Sequence, residues 1–266
     1  MATKPDPIKA KNARRVIEVF EFLDRNGGKA TVTDIARSFG RPQSSTSELL
    51  ASLVDMGLLY RDPHTRAFFT TPRLAALGTS AQPPLIRDGR LFDLMDRLAR
   101  SSGCGIALFG MVGMRVQIFR WSDDGQDWAR TIGCGSSELL SSSTAGLLML
   151  STYGPVQANR ILWRLNAEAP AELKFNHGEI RERIEQYRRQ RHAIGEAGFA
   201  NDCRVVTTLL PCELNAPPLA LGAVFPATMP VDEDRLLRKL SERACDRAGR
   251  DDLGDHSELV RMRLRA

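Results

Sequence analysis

Residues 43–47, Gln-Ser-Ser-Thr-Ser, follow Pro42 as a run of short polar side chains. Set on the first turn of a helix, such a run offers hydroxyls, an amide and unpaired N–H groups. These take phosphate oxygens and reach base edges. The flanking residues supply that helix. Thr33 has the chemistry of an N-cap, and Ile35, Ala36 and Phe39 then recur on one helical face. Gly40 supplies the positive φ that ends a helix, and Pro42 suits the first position of the next. Leu49, Leu50 and Leu53 mark the buried stripe of the second helix. This is a helix-turn-helix with the second helix as reader. Two packed helices of an ordinary helical domain would give the same bare pattern. The next residues favour the reader: Leu58 to Arg61 and Arg66 to Thr70 read as strands joined by the turn Asp62-Pro63-His64-Thr65. A basic hairpin after a reader helix is a winged helix.

A second group with chemistry lies further on. Ser141, Ser142, Ser143 and Thr144 open a helix that runs to Leu150. Their hydroxyls and the free N–H groups suit either a carboxylate ligand or an ordinary cap. Asp202, Cys203, Val205 and Thr207 fall on a strand expected to face the same cavity. Ile106, Leu108 and Phe119 are expected to pack a ligand's apolar body. Cys203 is the candidate nucleophile of a rival reading, an enzyme using a Cys or Ser nucleophile with the winged helix as an oligomerisation module. Nucleophilic catalysis needs a base in reach. His64, His177, His192 and His256 all lie in surface or loop contexts, so Cys203 reads as a small buried hydrophobe. The five cysteines have no CxxC spacing and suggest neither a disulfide framework nor zinc.

The 266 residues carry a net charge of +5, with 42% hydrophobic and 26% charged residues, as in a globular protein. Residues 1–80 hold twelve Lys and Arg against eight Asp and Glu, so most of the excess sits with the DNA-binding pattern. The opening MATKPDPIKAKNARR lacks an apolar signal-peptide region, and no run approaches a membrane span. The expected compartment is the cytoplasm.

Residues 1–10 read as a flexible arm, and Lys11 to Arg25 as a helix with Val16, Val19, Phe20 and Leu23 inward. Ala81 to Pro84 marks a domain boundary. Asp88 to Arg100 reads as a helix; Gly105 to Phe109, Arg115 to Trp121 and Trp128 to Ile132 read as strands, with Val116, Ile118 and Arg120 on one side of the second. Helices follow at Pro155 to Leu165 and Gly178 to His192, strands at Phe199, Val205 to Leu210 and Leu219 to Phe225, and a last helix from Pro230 to Ala248.

Over about residues 11–248 the chain resembles the IclR family of bacterial transcriptional regulators. The resemblance is carried by the Ala-Arg-Arg-Val-Ile opening helix, Asp34-Ile35-Ala36, residues 40–45 (Gly-Arg-Pro-Gln-Ser-Ser), Gly57-Leu58-Leu59, Arg61-Asp62-Pro63 and Pro72-Arg73-Leu74 with Leu77-Gly78. Further on it is carried by Ser142 to Leu150 and Ala197-Gly198-Phe199-Ala200. The chain departs from the family at Glu48, where many relatives carry Arg, at Leu147 in place of a Lys, and at the short loop Asn201-Asp202.

The resemblance implies an α+β chain: an N-terminal winged helix-turn-helix domain (11–72), a linker (73–87), a C-terminal GAF-like antiparallel sheet with flanking helices (88–248) and a charged tail (249–266). The implied function is a regulator, not an enzyme. As a homodimer or homotetramer it binds a palindromic double-stranded DNA operator and responds to a small organic or aromatic acid, with no cofactor and no metal. The expected DNA-contacting residues are Thr33, Arg41, Gln43, Ser44, Ser45, Thr46, Ser47, Arg61 and Arg66. Gln43 and Ser47 read bases, Ser44, Ser45 and Thr46 position phosphates, Arg41 flanks the reader on the backbone side, and Arg61 and Arg66 extend the wing. The expected effector site joins Ser141 to Thr144 with Asp202, Cys203, Val205, Thr207, Ile106, Leu108 and Phe119.

Overall fold

The computed structural model describes residues 7–78, 84–199, 202–211 and 217–245. The chain forms two compact units that divide after Gln82. In the first, α1 (Pro7–Arg25) is followed by β1 (Lys29–Ala30), α2 (Val32–Ser38), α3 (Gln43–Asp55), β2 (Leu59–Arg61), β3 (Phe68–Thr70) and α4 (Pro72–Gly78). The helix expected from Lys11 thus begins four residues earlier, at Pro7. A proline opens a helix without loss, because its missing N–H would be unpaired there. Val19 and Leu23 of α1, Ile35 of α2, Leu50 and Leu53 of α3, Leu59 and Phe68 close one core. The small sheet has the order β1-β3-β2, antiparallel throughout. β1 was not expected: two residues leave no periodic trace.

The N-cap of α2 is Thr31, not Thr33. Thr31 has an aspartate three residues on, and the two make a reciprocal capping box. The Thr31 N–H and hydroxyl donate to Asp34 Oδ2 at 2.9 and 2.7 Å, and the Asp34 N–H donates back to Thr31 Oγ1 at 3.3 Å. Thr33 has Ala36 at that spacing and lies exposed inside the helix. Gly40 takes φ +58° as expected. Pro42 is the N-cap of α3 rather than its first residue, with extended ψ of 139°.

In the second unit α5 (Pro84–Arg87) and α6 (Arg90–Ser102) lead into β4 (Gly105–Val112) and β5 (Arg115–Ser122). β6 (Ser137–Leu139), α7 (Thr144–Leu150), α8 (Pro155–Glu168) and α9 (His177–Gln190) follow. β7 (His192–Glu196), β8 (Cys203–Leu209), β9 (Leu219–Pro226) and α10 (Glu233–Cys245) complete it. The six strands run in the order β6-β5-β4-β9-β8-β7, every neighbouring pair antiparallel. Helices cover both faces. Leu91, Leu94, Met95 and Leu98 of α6 and Leu236 and Leu240 of α10 pack on Ile106, Leu108, Val206, Leu221 and Phe225. On the other face α7, α8 and α9 pack on Ala107, Phe109, Ile118, Val205 and Val224.

Four local expectations fail here. Residues 128–132 are not a strand. Asp127–Thr131 is a 3₁₀ helix, closed by bonds from the Ala129 N–H to the Gln126 carbonyl and from the Ile132 N–H to the Ala129 carbonyl. The third strand of that region is β6. Helix α9 stops at Gln190, because Arg191 turns to φ +61°, and His192 opens β7 instead. Phe199 lies on no strand; its ring stacks on Phe109 at 5.6 Å. Last, Arg120 is not on the side of Val116 and Ile118. Leu108 pairs with Arg120 and Phe109 with Ile118, so Phe119 is the extra residue of a β-bulge. Arg120 therefore turns to α6, over the Phe92 ring and 3.7 Å from Asp96. Of the expected boundary Ala81 to Pro84 only Pro84 is described, as the first residue of α5; residues 81–83 and the tail 249–266 lie outside the described residues.

Candidate nucleic-acid interface and effector region

Helix α3 turns Gln43, Ser44, Ser47, Glu48, Ala51 and Asp55 outward. Leu50 and Leu53 form its buried stripe, together with Thr46. Thr46 is 2% exposed, and its hydroxyl donates to the Pro42 carbonyl at 3.0 Å. It therefore cannot position a phosphate, and its role is to close the first turn of α3. Ser45 is also committed: its hydroxyl donates to the Pro42 carbonyl at 3.2 Å and accepts from Arg15 Nη2 at 3.4 Å. Arg15 Nη2 bonds the Ser45 carbonyl at 3.1 Å as well. Of the five polar residues, Gln43, Ser44 and Ser47 remain exposed for a nucleic acid.

Arg41 precedes the reader helix, and its Nη2 lies 2.5 Å from Glu18 Oε2 on α1. Its guanidinium also stands over the Phe39 ring. Thus α1 holds the start of α3 twice, through Arg15 and through Glu18. Neither residue was singled out from the sequence, although both lie on the helix with Val19. Arg61 and Arg66 are exposed at the ends of the wing turn, with Arg61 over the Phe68 ring. Asp62 organises the turn by accepting the His64 and Thr65 N–H groups at 2.8 and 3.3 Å. These bonds hold its carboxyl below the ordinary value of 3.8.

In the second unit Ser143 caps α7, accepting the Gly146 N–H at 3.0 Å. Thr144 and Ser141 have buried hydroxyls without a partner among the described residues. Ser142 is half-buried; its carbonyl, with Ser143, packs against Gly198. Cys203, Val205 and Thr207 do face α7 across the sheet. Thr207 is fully buried, and its hydroxyl donates to the Leu221 carbonyl at 3.2 Å. Asp202 stands exposed at φ +59°.

The expected apolar wall is not there. Strand alternation sends Ile106 and Leu108 to the α6 face, the opposite side of the sheet. Phe119 is 46% exposed on that same side, its ring filling the place of a Gly110 side chain. The residues beside α7 are instead Ala107, Phe109 and the stacked Phe199. Burial and the charge of Asp202 push the Cys203 thiol up from its ordinary value. It stays protonated at neutral pH, which suits packing rather than nucleophilic attack. Among the described residues no group of three His, Cys, Asp or Glu side chains gathers as metal ligands, and no helix is long and apolar enough to cross a membrane.

Comparison with known proteins agrees with this geometry. The IclR helix-turn-helix domain matches residues 13–63. No curated protein matches the chain. Among solved structures, the IclR transcriptional regulator of Alicyclobacillus acidocaldarius is 19% identical at a TM-score of 0.57, over 91% of this chain and 98% of that one. The IclR of Thermotoga maritima is 15% identical at 0.56, over 96% and 99%. An IclR homologue of Microbacterium hydrocarbonoxydans, complexed with 4-hydroxybenzoate, is 17% identical at 0.56 with the same coverage. At these identities the likeness shows the fold: an N-terminal helix-turn-helix unit and a C-terminal antiparallel sheet with helices.

Proposed function

This chain belongs, by its helix-turn-helix domain, to the IclR family of transcriptional regulators, and from that premise we propose that it binds a palindromic operator as a homodimer or homotetramer and responds to a small organic or aromatic acid. One observation carries the reading. The start of α3 presents Gln43, Ser44 and Ser47 to solvent, pinned in place by Arg15, beside a wing whose turn is flanked by Arg61 and Arg66. Gln43 and Ser47 read base edges, Ser44 takes a phosphate oxygen, and the wing arginines reach the minor groove or its phosphates. Thr33, exposed on α2, and Arg41 flank that surface. One such unit covers too little DNA for tight specific binding, so two act on half-sites about one helical turn or a multiple apart. The 4-hydroxybenzoate held by the Microbacterium hydrocarbonoxydans homologue is of the ligand class proposed. The protein works in the cytoplasm, with no cofactor.

The test is selection of bound sequences from a random duplex pool by the full chain, followed by footprinting and sedimentation. A palindromic consensus bound by a dimer or tetramer is expected. A monomer that binds tightly to an asymmetric site, or a chain that selects no sequence, contradicts the reading.

A further inference from the structure

The sheet of the second unit has two edges, β6 and β7. At β6 the outward Ser137 carbonyl is taken, because Arg115 Nη2 donates to it at 2.8 Å. β7 has no such cover. The Leu209 N–H donates to the Arg191 carbonyl at 3.1 Å, and the Ala197 N–H to the Cys203 carbonyl at 2.9 Å. These bonds fix which residues of β7 face β8: the odd-numbered ones make the ladder. His192, Ile194 and Glu196 therefore turn their N–H and C=O groups away from the sheet. Among the described residues no backbone hydrogen bond reaches them from outside. Such an edge is a template for one more strand.

Helix α9 runs beside this edge. Its residues Arg183, Gln186, Tyr187 and Gln190 recur at helical spacing, and with His192 and Ile194 they line a cavity of about 360 Å³. Ala193 packs on the α7 face of the sheet, whereas Ile194 packs on the α6 and α10 face. A cavity bounded by both α9 and Ile194 thus runs along the edge itself. An edge strand with a groove beside it takes an extended peptide by strand addition.

The charge of the groove selects the peptide. None of the six lining side chains is a carboxylate. Arg183 is exposed; its Nη2 donates to the Tyr187 hydroxyl at 3.2 Å, which leaves its other donors free for an anion. Arg191 is exposed at the head of β7. Among the described residues neither arginine has an ion-pair partner. The acid of the strand, Glu196, stands at its far end, across the ladder from Arg204.

We propose that β7 and α9 form a docking groove for an extended acidic segment of a partner protein, which joins the six-stranded sheet as a further strand beyond β7. Its backbone pairs with His192, Ile194 and Glu196. Strand alternation sorts its side chains. The residue opposite Ile194 lies on the α6 face and is apolar. Its neighbours turn to the α9 face, where a carboxylate meets Arg183 in a charge-assisted bond. The preferred segment is thus a β-branched residue flanked by Asp or Glu. The assignment does not depend on the sensor reading above.

The test is selection from a displayed random heptapeptide library on the full chain, with the enriched peptide then synthesised and titrated by fluorescence anisotropy. Enrichment of a β-branched residue flanked by Asp or Glu is expected. Ile194→Pro removes an outward N–H and leaves the β8 ladder intact, so it should weaken the peptide at least about tenfold. Arg183→Gln should weaken it by a similar factor, about tenfold, and should not weaken the peptide whose acids are replaced by Gln. N-methylation along the peptide reads the ladder without touching the protein: alternate positions should abolish binding and the intervening ones spare it. That pattern carries the test if circular dichroism shows Ile194→Pro to be unfolded. No enriched peptide, enrichment of basic peptides, or equal tolerance of N-methylation at every position overturns the assignment. So does unchanged binding in both variants. Sedimentation of Ile194→Pro covers the rival occupant: a change in the assembly of the chain itself would give the edge to a second copy and overturn the peptide groove.

Discussion

Glu18 on α1 holds the Arg41 guanidinium at 2.5 Å, both side chains about three-quarters buried, immediately before the reader helix begins. The arginine just before the reader helix in sequence is thus already paired within its own domain.

Salt dependence of operator affinity should therefore differ among the arginines. Arg61→Ala and Arg66→Ala should each lower the slope of log K against log salt by about one unit. Arg41→Ala should lower it by less, and Glu18→Gln should raise it. Fluorescence titrations at several salt concentrations check this. Equal slopes for the three arginine variants would show that Arg41 leaves Glu18 to bind a phosphate.

Glu48 stands on the exposed stripe of α3 between Ser44, Ser47 and Ala51, among small residues that let a groove come close. A carboxylate there repels phosphates and accepts from a cytosine amine. Replacing it with alanine should relax preference at one base pair by about 1–3 kcal/mol. Competition with single-substituted operators measures it. A uniform tightening for all sequences would mean that Glu48 only repels.

Acid should loosen the first unit. Hydrogen bonds from Thr31 hold the Asp34 carboxyl below its ordinary value of 3.8, and the turn N–H groups do the same for Asp62. A carboxyl lowered by folding stabilises the fold at pH values above 3.8, and that contribution is lost as pH falls through the depressed value. Urea unfolding across the acid range should show this loss, and Asp34→Asn with Asp62→Asn should flatten it. An unchanged pH profile in the double variant would contradict the capping-box and turn assignments.

Gly146 sits where a Cβ would stand 2.4 Å from the Leu140 carbonyl oxygen and 2.7 Å from its Cα. Both obstacles are backbone, so they yield poorly. Gly146→Ala should destabilise the protein by about 1–3 kcal/mol, read from denaturant midpoints. A neutral substitution would show that the 3₁₀ turn at Leu140–Ser142 shifts freely.

The helices were legible because amphipathic spacing and turn chemistry are local, although the cap of α2 fell two residues earlier, on Thr31. Leu91, Leu94, Met95 and Leu98 are buried as their spacing requires, and Gly40 turns as a glycine must. β7 was not legible: His-Ala-Ile-Gly-Glu has one β-branched residue, and pairing with β8 makes it a strand. The reader turn was legible as a polar run, but not which hydroxyls were free. That depended on Arg15, thirty residues from Ser45. The apolar wall was misplaced for a related reason. Assigning Ile106 and Leu108 to a face needs the neighbours of both faces, and α6 and α10 claim those two residues.

The bulge at Phe119 makes β5 one residue longer than its pairing needs. Removing Phe119 alone would join Ile118 to Arg120 in regular register, each still on its present face. Removing Gln117 instead would turn the strand beyond it over, with Arg115 exchanging faces with Val116. In the lineage of this sheet, Phe119 is thus the place where a codon can be gained or lost without rewriting the strand.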